Sequence, residues 1–273
     1  MGVTRDPGTF REASAYYMAG RPPYSRELLP TLERELSLDG HGRLLDVGSG
    51  PGVLVVELAP VFDESVAVDP DPGMLAEGER RAEAAGQRGI RWIRGVAEEL
   101  GSLVTGTYRL VTFGQSYHWT AGMEVLDTVH ELLEPGGTVA LIGHCAEGRP
   151  EPRGPARPHI PEAEIVALVR EFTSDASLLS KARRSTPRLH QTDLRASLFG
   201  DCRTVYAPGR PDIVRDVDSI VAGYYSTSYA APRRFGDSRE AFEAALRALL
   251  WQHSPEGLFW DWPGDTEIVL ATK

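Results

Sequence analysis

The chain has 273 residues and a formal charge of −10, from 29 Lys and Arg against 39 Asp and Glu. With 41% apolar and 25% charged residues it is a globular chain of one or two domains with length for a full core, not a disordered, collagenous or coiled-coil one. The acidic balance argues against a general nucleic-acid partner, two cysteines (Cys145 and Cys202) are too few for a disulfide scaffold, and no apolar run approaches the roughly 18 residues of a membrane span.

The first eleven residues are charged and lack an apolar run of the secretory kind, so a cytoplasmic protein is expected. Residues 1–30 are polar and broken by Pro22, Pro23 and Pro30. The run from Tyr16 to Tyr24 is aromatic without a helical or strand period. A helix is expected after it, with Leu28, Leu29, Leu32 and Leu36 at helical spacing and Gly40 and Gly42 ending it.

From Arg43 short apolar runs alternate with helical stretches. Strands are expected at 43–47, 65–69, 90–94, 108–113 and 137–142, and helices at 52–60, 72–85 and 121–134. That rhythm predicts an α/β fold with a doubly wound, mostly parallel sheet covered on both faces.

Residues 147–161 hold Pro150, Pro152, Pro155, Pro158 and Pro161, which suits an exposed, extended connection. A helix is expected over 161–173, then a poorly periodic stretch to about 200. Residues 145–200 therefore read as a helical lid inserted over the carboxyl edge of the sheet. Between 149 and 215 there are 12 Lys or Arg against 8 Asp or Glu. This local excess suits either a solvated lid surface or a contact for an anionic substrate. Asp237-Ser238-Arg239-Glu240 has the form of a capping box with Asp237 as the cap. It precedes a helix with Phe242, Ala245, Leu246, Leu249 and Leu250 on one face. Thr204–Ala207 and Glu267–Thr272 are expected as the last strands, the final one antiparallel. The chain thus divides into an arm and helix (1–42), an α/β core (43–144), the insertion (145–200) and a segment completing the sheet (201–273).

The most informative stretch is Leu44-Leu45-Asp46-Val47-Gly48-Ser49-Gly50-Pro51-Gly52. An apolar strand ends in three alternate glycines and a helix begins at once. Such glycines allow a tight turn and a close approach of the backbone to a ligand. Asp69 ends the next strand, 23 residues after Asp46. An acid there can hydrogen-bond both hydroxyls of a ribose. The spacing is G-x-G-x-G, not the G-x-G-x-x-G of dinucleotide dehydrogenases, and the G-K-[ST] of phosphate-binding loops is absent. Asp46 beside the loop would repel a pyrophosphate and attract an ammonium. A helix-capping turn with a buried structural acid is the bland alternative.

The run L-L-D-V-G-S-G-P-G resembles motif I of the class I S-adenosylmethionine-dependent methyltransferases. Val66 to Met74 resembles motif post-I, and Leu132 to Thr138 resembles the helix-to-strand turn of motif III. Tyr16 to Tyr24, with its R-P-x-Y core, and Gln115-Ser116-Tyr117-His118-Trp119 resemble the small-molecule subgroup called methyltransferase type 11. The likeness spans about 10–143, and the end of the chain is similar to actinobacterial members. The resemblance implies a Rossmann-like, seven-stranded sheet and S-adenosylmethionine as cofactor, with S-adenosylhomocysteine as product. Asp46, Gly48, Ser49, Gly50 and Gly52 would cradle the methionine end. Asp69 would hold the ribose, with Pro70 and Met74 near the adenine. Gly95-Val96-Ala97-Glu98 would form the adenine loop. It departs from the family at Val96, where an acid usually accepts from the adenine amino group. Gln115 and Ser116 would lie beside the sulfonium. The arm 1–42 would cover the cofactor, with Arg21 pairing the methionine carboxylate and one tyrosine of the Tyr16, Tyr17 and Tyr24 cluster facing the sulfonium; a surface arm whose aromatics pack on the sheet is the plainer alternative.

A sulfonium methyl is already activated, so the protein need only align a nucleophile and exclude water. His118, just past a strand's carboxyl end, is the candidate base, with packing against Trp119 as its plainer role. Tyr17 is the second candidate at the reacting centre. His144, His159 and His190 form no metal-ligand spacing, so no metal is expected. Tyr224, Tyr225, Tyr229, Trp251, Phe259, Trp260 and Trp262 suit core packing or an apolar acceptor pocket. The expected function is methyl transfer to O or N, with C open, of a small-molecule metabolite of anionic or aromatic character, in specialised metabolism. The alternatives are a protein that binds the cofactor to guide a rearrangement or cyclisation, a nucleotide-dependent dehydrogenase, and a noncatalytic module whose basic insertion grips an acidic partner.

Overall fold

The computed structural model describes residues 14–145, 156–173 and 187–273. A seven-stranded sheet forms its centre: β1 (Arg43–Val47), β2 (Glu64–Asp69), β3 (Ile90–Arg94), β4 (Tyr108–Gly114), β5 (Leu133–Cys145), β6 (Arg203–Ala207) and β9 (Asp265–Thr272). The order is β3-β2-β1-β4-β5-β9-β6. β1 to β5 pair in parallel, and β9 runs antiparallel to both its neighbours. The strand order reverses between β1 and β4, which opens a crevice at their carboxyl ends.

The helices are α1 (Ser14–Gly20), α2 (Leu28–Leu36), α3 (Val53–Leu58), α4 (Pro72–Ala84), α5 (Leu100–Leu103), α6 (Met123–Leu132), α7 (Glu162–Phe172), α8 (Pro187–Ala196), α9 (Val217–Tyr225) and α10 (Arg239–His253). Strand residues alternate between two cores, as a period of two requires. Leu45, Val47, Val111, Phe113, Val139 and Leu141 pack with α5, α6 and Leu194 of α8. Leu44, Leu110, Ala140, Ile142, Ile268 and Leu270 pack with Leu28 and Leu32 of α2 and Leu54, Val55 and Leu58 of α3. Asp46, two residues after Leu44, faces the second core.

A third core lies apart from the sheet. It joins Ile165 and Val169 of α7, Ile220, Val221 and Tyr225 of α9, and Phe242, Leu246 and Leu250 of α10. The two described helices of the 145–200 stretch therefore serve different layers. Residues 146–155 and 174–186 of that stretch, and 1–13 of the arm, lie outside the described residues.

Four local expectations need correction. The aromatic run beginning at Tyr16 is partly helical: α1 covers its first five residues. Seven residues are too few for a period to show, and α1 is fixed by tertiary contacts. Gly20 approaches α9 so closely that an added Cβ would lie 2.2 Å from the Gly223 nitrogen. Second, α6 ends at Leu132 and β5 already begins at Leu133, with a register shift against β4 between Tyr108 and Leu110. Third, Asp237 caps nothing. It lies in a 3-10 turn, Gly236–Ser238, that runs straight into α10, so Ser238 is the N-cap and makes no side-chain cap bond. Fourth, a two-stranded sheet of β7 (Val214–Asp216) and β8 (Leu258–Trp260), unread in the sequence, precedes α9 and follows α10.

Candidate functional site

β1 delivers Asp46 and the glycine loop to the crevice. Gly48, Gly50 and Gly52 have φ of 64°, 53° and 70°, the left-handed region in which a side chain is strained. At Gly48 space forbids a side chain as well, since a Cβ would lie 2.5 Å from the Ser116 Cβ. At Gly50 no atom lies within 4 Å of such a Cβ, so the loop faces open space there. The Gly48 and Ser49 nitrogens donate to the Val68 carbonyl at 2.8 and 3.1 Å, tying the loop to β2.

Asp69 ends β2 and braces the loop. Its Oδ2 accepts from the Gly50 nitrogen at 2.8 Å and its Oδ1 from the Asp71 nitrogen at 2.9 Å. A carboxylate has about four acceptor positions, so both oxygens keep capacity for another donor. Burial pushes its carboxyl up to about 6, against the lowering by these two N–H donors. Asp71 caps α4, with Oδ1 accepting from Gly73 and Met74 at 2.7 and 3.2 Å.

Asp46 is 1% exposed. The Thr112 hydroxyl donates to its Oδ1 at 2.7 Å across the β1–β4 pairing, in which these two residues are partners. Its Oδ2 is buried with no partner. Burial pushes this carboxyl up to about 7, with the Thr112 hydroxyl and the Val55 backbone N–H opposing and the charge of Asp69 adding. Asp46, Gly48 and Ser49 line a small cavity with Tyr17, Tyr24 and Gly114. Its volume is about 10 Å³, space for about one water molecule. Ser49 Oγ, like Asp46 Oδ2, is buried and unpartnered.

The arm closes this cavity from above. Burial raises the phenols of Tyr17 and Tyr24, so both are neutral. Arg21 stands 5.5 Å from the Tyr17 ring centre, and its Nη2 donates to the Ser226 carbonyl at 2.9 Å. Its Nε is buried without a partner. Tyr16 lies elsewhere: its ring meets Tyr225 at 5.1 Å and its hydroxyl accepts from Arg239 at 2.6 Å, in the third core's layer.

The remaining predicted residues spread along the carboxyl edge. Pro70 and Met74 follow Asp69 into α4, with Met74 buried. Val96 precedes the 3-10 turn Ala97–Glu99, the Gly95 nitrogen donates to the Asp69 carbonyl at 3.2 Å, and Glu98 accepts from the Ala121 nitrogen at 2.7 Å. Gln115 has φ of +52°, strained for a residue with a side chain. The Ser116 hydroxyl donates to the Val47 carbonyl at 2.5 Å. His118 is half-buried in the turn Tyr117–Trp119, with its ring 5.2 Å from that of Trp119. Sequence reading missed Thr112, Gly114 and the stacking of the His144 ring on that of Tyr24, centres 5.1 Å apart, which strand register alone brings to this edge. Among the described residues no group of three His, Cys, Asp or Glu side chains is placed to hold a metal ion, and no helix is long and apolar enough to cross a membrane.

A family model described as a methyltransferase domain matches residues 44–137. Over 208 residues the chain is 26% identical to the methyltransferase pgmE of Aspergillus terreus, covering 70% of this chain and 59% of that protein. Over 145 residues it is 32% identical to an uncharacterized methyltransferase of Mycobacterium tuberculosis, covering 52% of this chain and 54% of that one. The chain thus spans between half and two thirds of the length of these relatives. The crystal structure of YcgJ from Bacillus subtilis is similar in fold, with a TM-score of 0.52 at 17% identity over 90% of this chain and 97% of that one. Residues 44–137, which carry the glycine loop, Asp46 and Asp69, thus match a methyltransferase-domain model, and they are set in a class I, Rossmann-like sheet.

Proposed function

We propose that the chain is an S-adenosylmethionine-dependent methyltransferase that methylates O, N or C of a small-molecule metabolite. One observation carries this reading: a buried, unpartnered carboxylate oxygen on Asp46 beside the glycine loop of a methyltransferase domain. A buried charge without a partner is costly unless a ligand completes it. An ammonium does so, and a phosphate does not. Arg21 Nε and Ser49 Oγ, also buried and unpartnered, supply the donors that a carboxylate needs. These residues fit an amino-acid end of S-adenosylmethionine. Asp69 keeps acceptor capacity for a ribose, and Pro70, Met74, Val96, Ala97 and Glu98 are assigned to the adenine side.

When bound, this cofactor supplies an electrophilic methyl group on a sulfonium. The chain's own residues hold it, exclude water and align the acceptor. Asp46, Gly48, Ser49, Gly50 and Gly52 hold its amino-acid end, with Gln115 and Ser116 beside the sulfonium. Tyr17 and Tyr16 belong to the covering arm, residues 1–42. A cavity of about 10 Å³ holds about one water molecule, so its lining must open to admit an amino-acid group. Of the lid stretch, the described helices α7 and α8 are assigned to the acceptor side, and His118 is a candidate to take the acceptor's proton. The setting is cytoplasmic, specialised metabolism.

Calorimetric titration with S-adenosylmethionine, S-adenosylhomocysteine and NADH tests the reading. Micromolar binding of both sulfur nucleosides and none of NADH is expected. Absence of binding by either sulfur nucleoside would overturn it.

A further inference from the structure

Thr112 of β4 and Asp46 of β1 are register partners in a parallel pairing, so their side chains leave the same face of the sheet. Both are fully buried. Their neighbours on that face are apolar: Leu44, Leu110, Ala140 and Ile142. A hydroxyl and a carboxyl in such a layer cost stability unless they are bonded. The Thr112 hydroxyl donates to Asp46 Oδ1 at 2.7 Å, which satisfies the hydroxyl and one carboxylate oxygen. Asp46 Oδ2 keeps no partner. A pair that served the fold alone would satisfy both oxygens, or apolar side chains would take its place at little cost. Asp46 lines the small cavity, as does Gly114, the next residue of β4 on this face, whereas Thr112 does not. Threonine is β-branched and restricted at χ1, so its hydroxyl is a fixed donor.

Taking the S-adenosylmethionine reading as given, we propose that Thr112 is a positioning residue whose hydroxyl pins Asp46 Oδ1 and so presents Oδ2 to the cofactor's ammonium. The bond sets direction, because a carboxyl held through one oxygen cannot turn freely about χ2. It also sets charge. Burial pushes the Asp46 carboxyl up and the Thr112 hydroxyl draws it down. Without that hydroxyl the carboxyl keeps its proton to higher pH and meets a cation less readily. The other groups around the carboxyl are independent of Thr112. The Val55 N–H of α3 also draws it down, the Asp69 charge at the end of β2 raises it, and Tyr17, Tyr24 and Arg21 of the arm complete the surroundings. Thr112 thus acts on the cofactor through Asp46 alone.

The test is calorimetry on the whole chain from about pH 6 to 8. The ligands are S-adenosylhomocysteine and S-adenosyl-4-thiobutanoate, which lacks only the amino group. Wild type is expected to favour S-adenosylhomocysteine, with affinity rising toward about pH 7. Thr112→Val keeps the shape of the side chain and loses the hydroxyl. It should weaken S-adenosylhomocysteine at least about fivefold at neutral pH and the desamino ligand less than about twofold, and move the rise to higher pH. Thr112→Ser, which restores a hydroxyl, should return both affinity and profile. If the valine variant folds poorly, Thr112→Cys, with a weak donor in the same place, should show a smaller shift in the same direction. A merely structural role would lower the urea midpoint and move neither the profile nor the contrast between ligands. Equal wild-type affinity for the two ligands, equal losses for both in the valine variant, an unmoved pH profile, or a serine variant as impaired as the valine one would each overturn the assignment. No S-adenosylhomocysteine binding by wild type at any of these pH values would instead remove the cofactor reading on which it rests.

Discussion

Gly20 of α1 and Gly223 of α9 meet backbone to backbone: a Cβ on Gly20 would lie 2.2 Å from the Gly223 nitrogen and 2.5 Å from the Ala222 carbonyl oxygen. Arg215 ties the same junction, its Nη2 donating to the Gly20 carbonyl at 2.6 Å. The arm that carries Tyr17 over the Asp46 cavity is thus mounted on the third core's helices, while Gly73 near Ser14 is its link to α4.

Gly20→Ala is therefore expected to push α1 off α9. Neither neighbour is a flexible side-chain end, so the backbones must part. Overpacking of this kind costs about 1–3 kcal/mol, read as a lower urea midpoint. S-adenosylhomocysteine affinity should fall with it, because Tyr17 loses its seat. An unchanged affinity would separate α1 from the cofactor site.

Gly48 and Gly50 share a left-handed φ but differ in surroundings. Gly48→Ala meets Ser116 and should destabilise the fold by more than the roughly 1–2 kcal/mol of backbone strain alone. Gly50→Ala meets nothing and should pay only the strain. Its methyl would enter the space assigned to the cofactor, so it should lose S-adenosylhomocysteine binding at least about tenfold. Urea unfolding and calorimetry on both variants separate the two effects.

Asp71 and Asp237 contrast as caps. Asp71→Ala removes bonds to the Gly73 and Met74 nitrogens and should cost about 0.5–2 kcal/mol. Asp237→Ala should cost under about 0.5 kcal/mol, since Ser238 holds the cap position. Urea midpoints of the two variants check the difference.

The caps show what the sequence could carry. The Asp71 cap, though equally local, was not read, whereas the glycine loop is contiguous and its chemistry follows from local backbone needs, so it was legible. The strand alternation of 43–47, 65–69 and 108–113 was legible for the same reason. Thr112 and His144 were not, because their contacts with Asp46 and Tyr24 follow from β4 and β5 pairing. α1 was hidden because its hold is Gly223, some 200 residues away. The capping-box pattern at Asp237 misled because four residues do not tell a helix start from the turn that precedes it.

The Asp46 carboxyl carries a pH dependence whose sign can be worked out. Its pKa in the fold is raised to about 7 by burial, above the roughly 3.9 of an exposed aspartate. Between those values the folded chain holds a proton that the unfolded chain has released. Stability of the free protein therefore falls as pH rises through that window and levels off above about 7. Asp46→Asn removes the buried charge and should stabilise the free protein at about pH 8 by roughly 1–4 kcal/mol, read by urea unfolding. Binding has the opposite sign. An ammonium needs the carboxylate, so S-adenosylhomocysteine binding below about pH 7 should release a proton, and affinity should rise toward neutrality. Asp69, raised to about 6, adds a weaker slope at lower pH that the Asp46→Asn variant keeps. That variant should also bind at least about tenfold more weakly at pH 8, having lost a charge-assisted bond. Calorimetry across pH 5–8, in buffers of different ionisation enthalpy, reads both proton and affinity. Wild-type affinity that stays flat from pH 6 to 8 would show that Asp46 does not meet a cation.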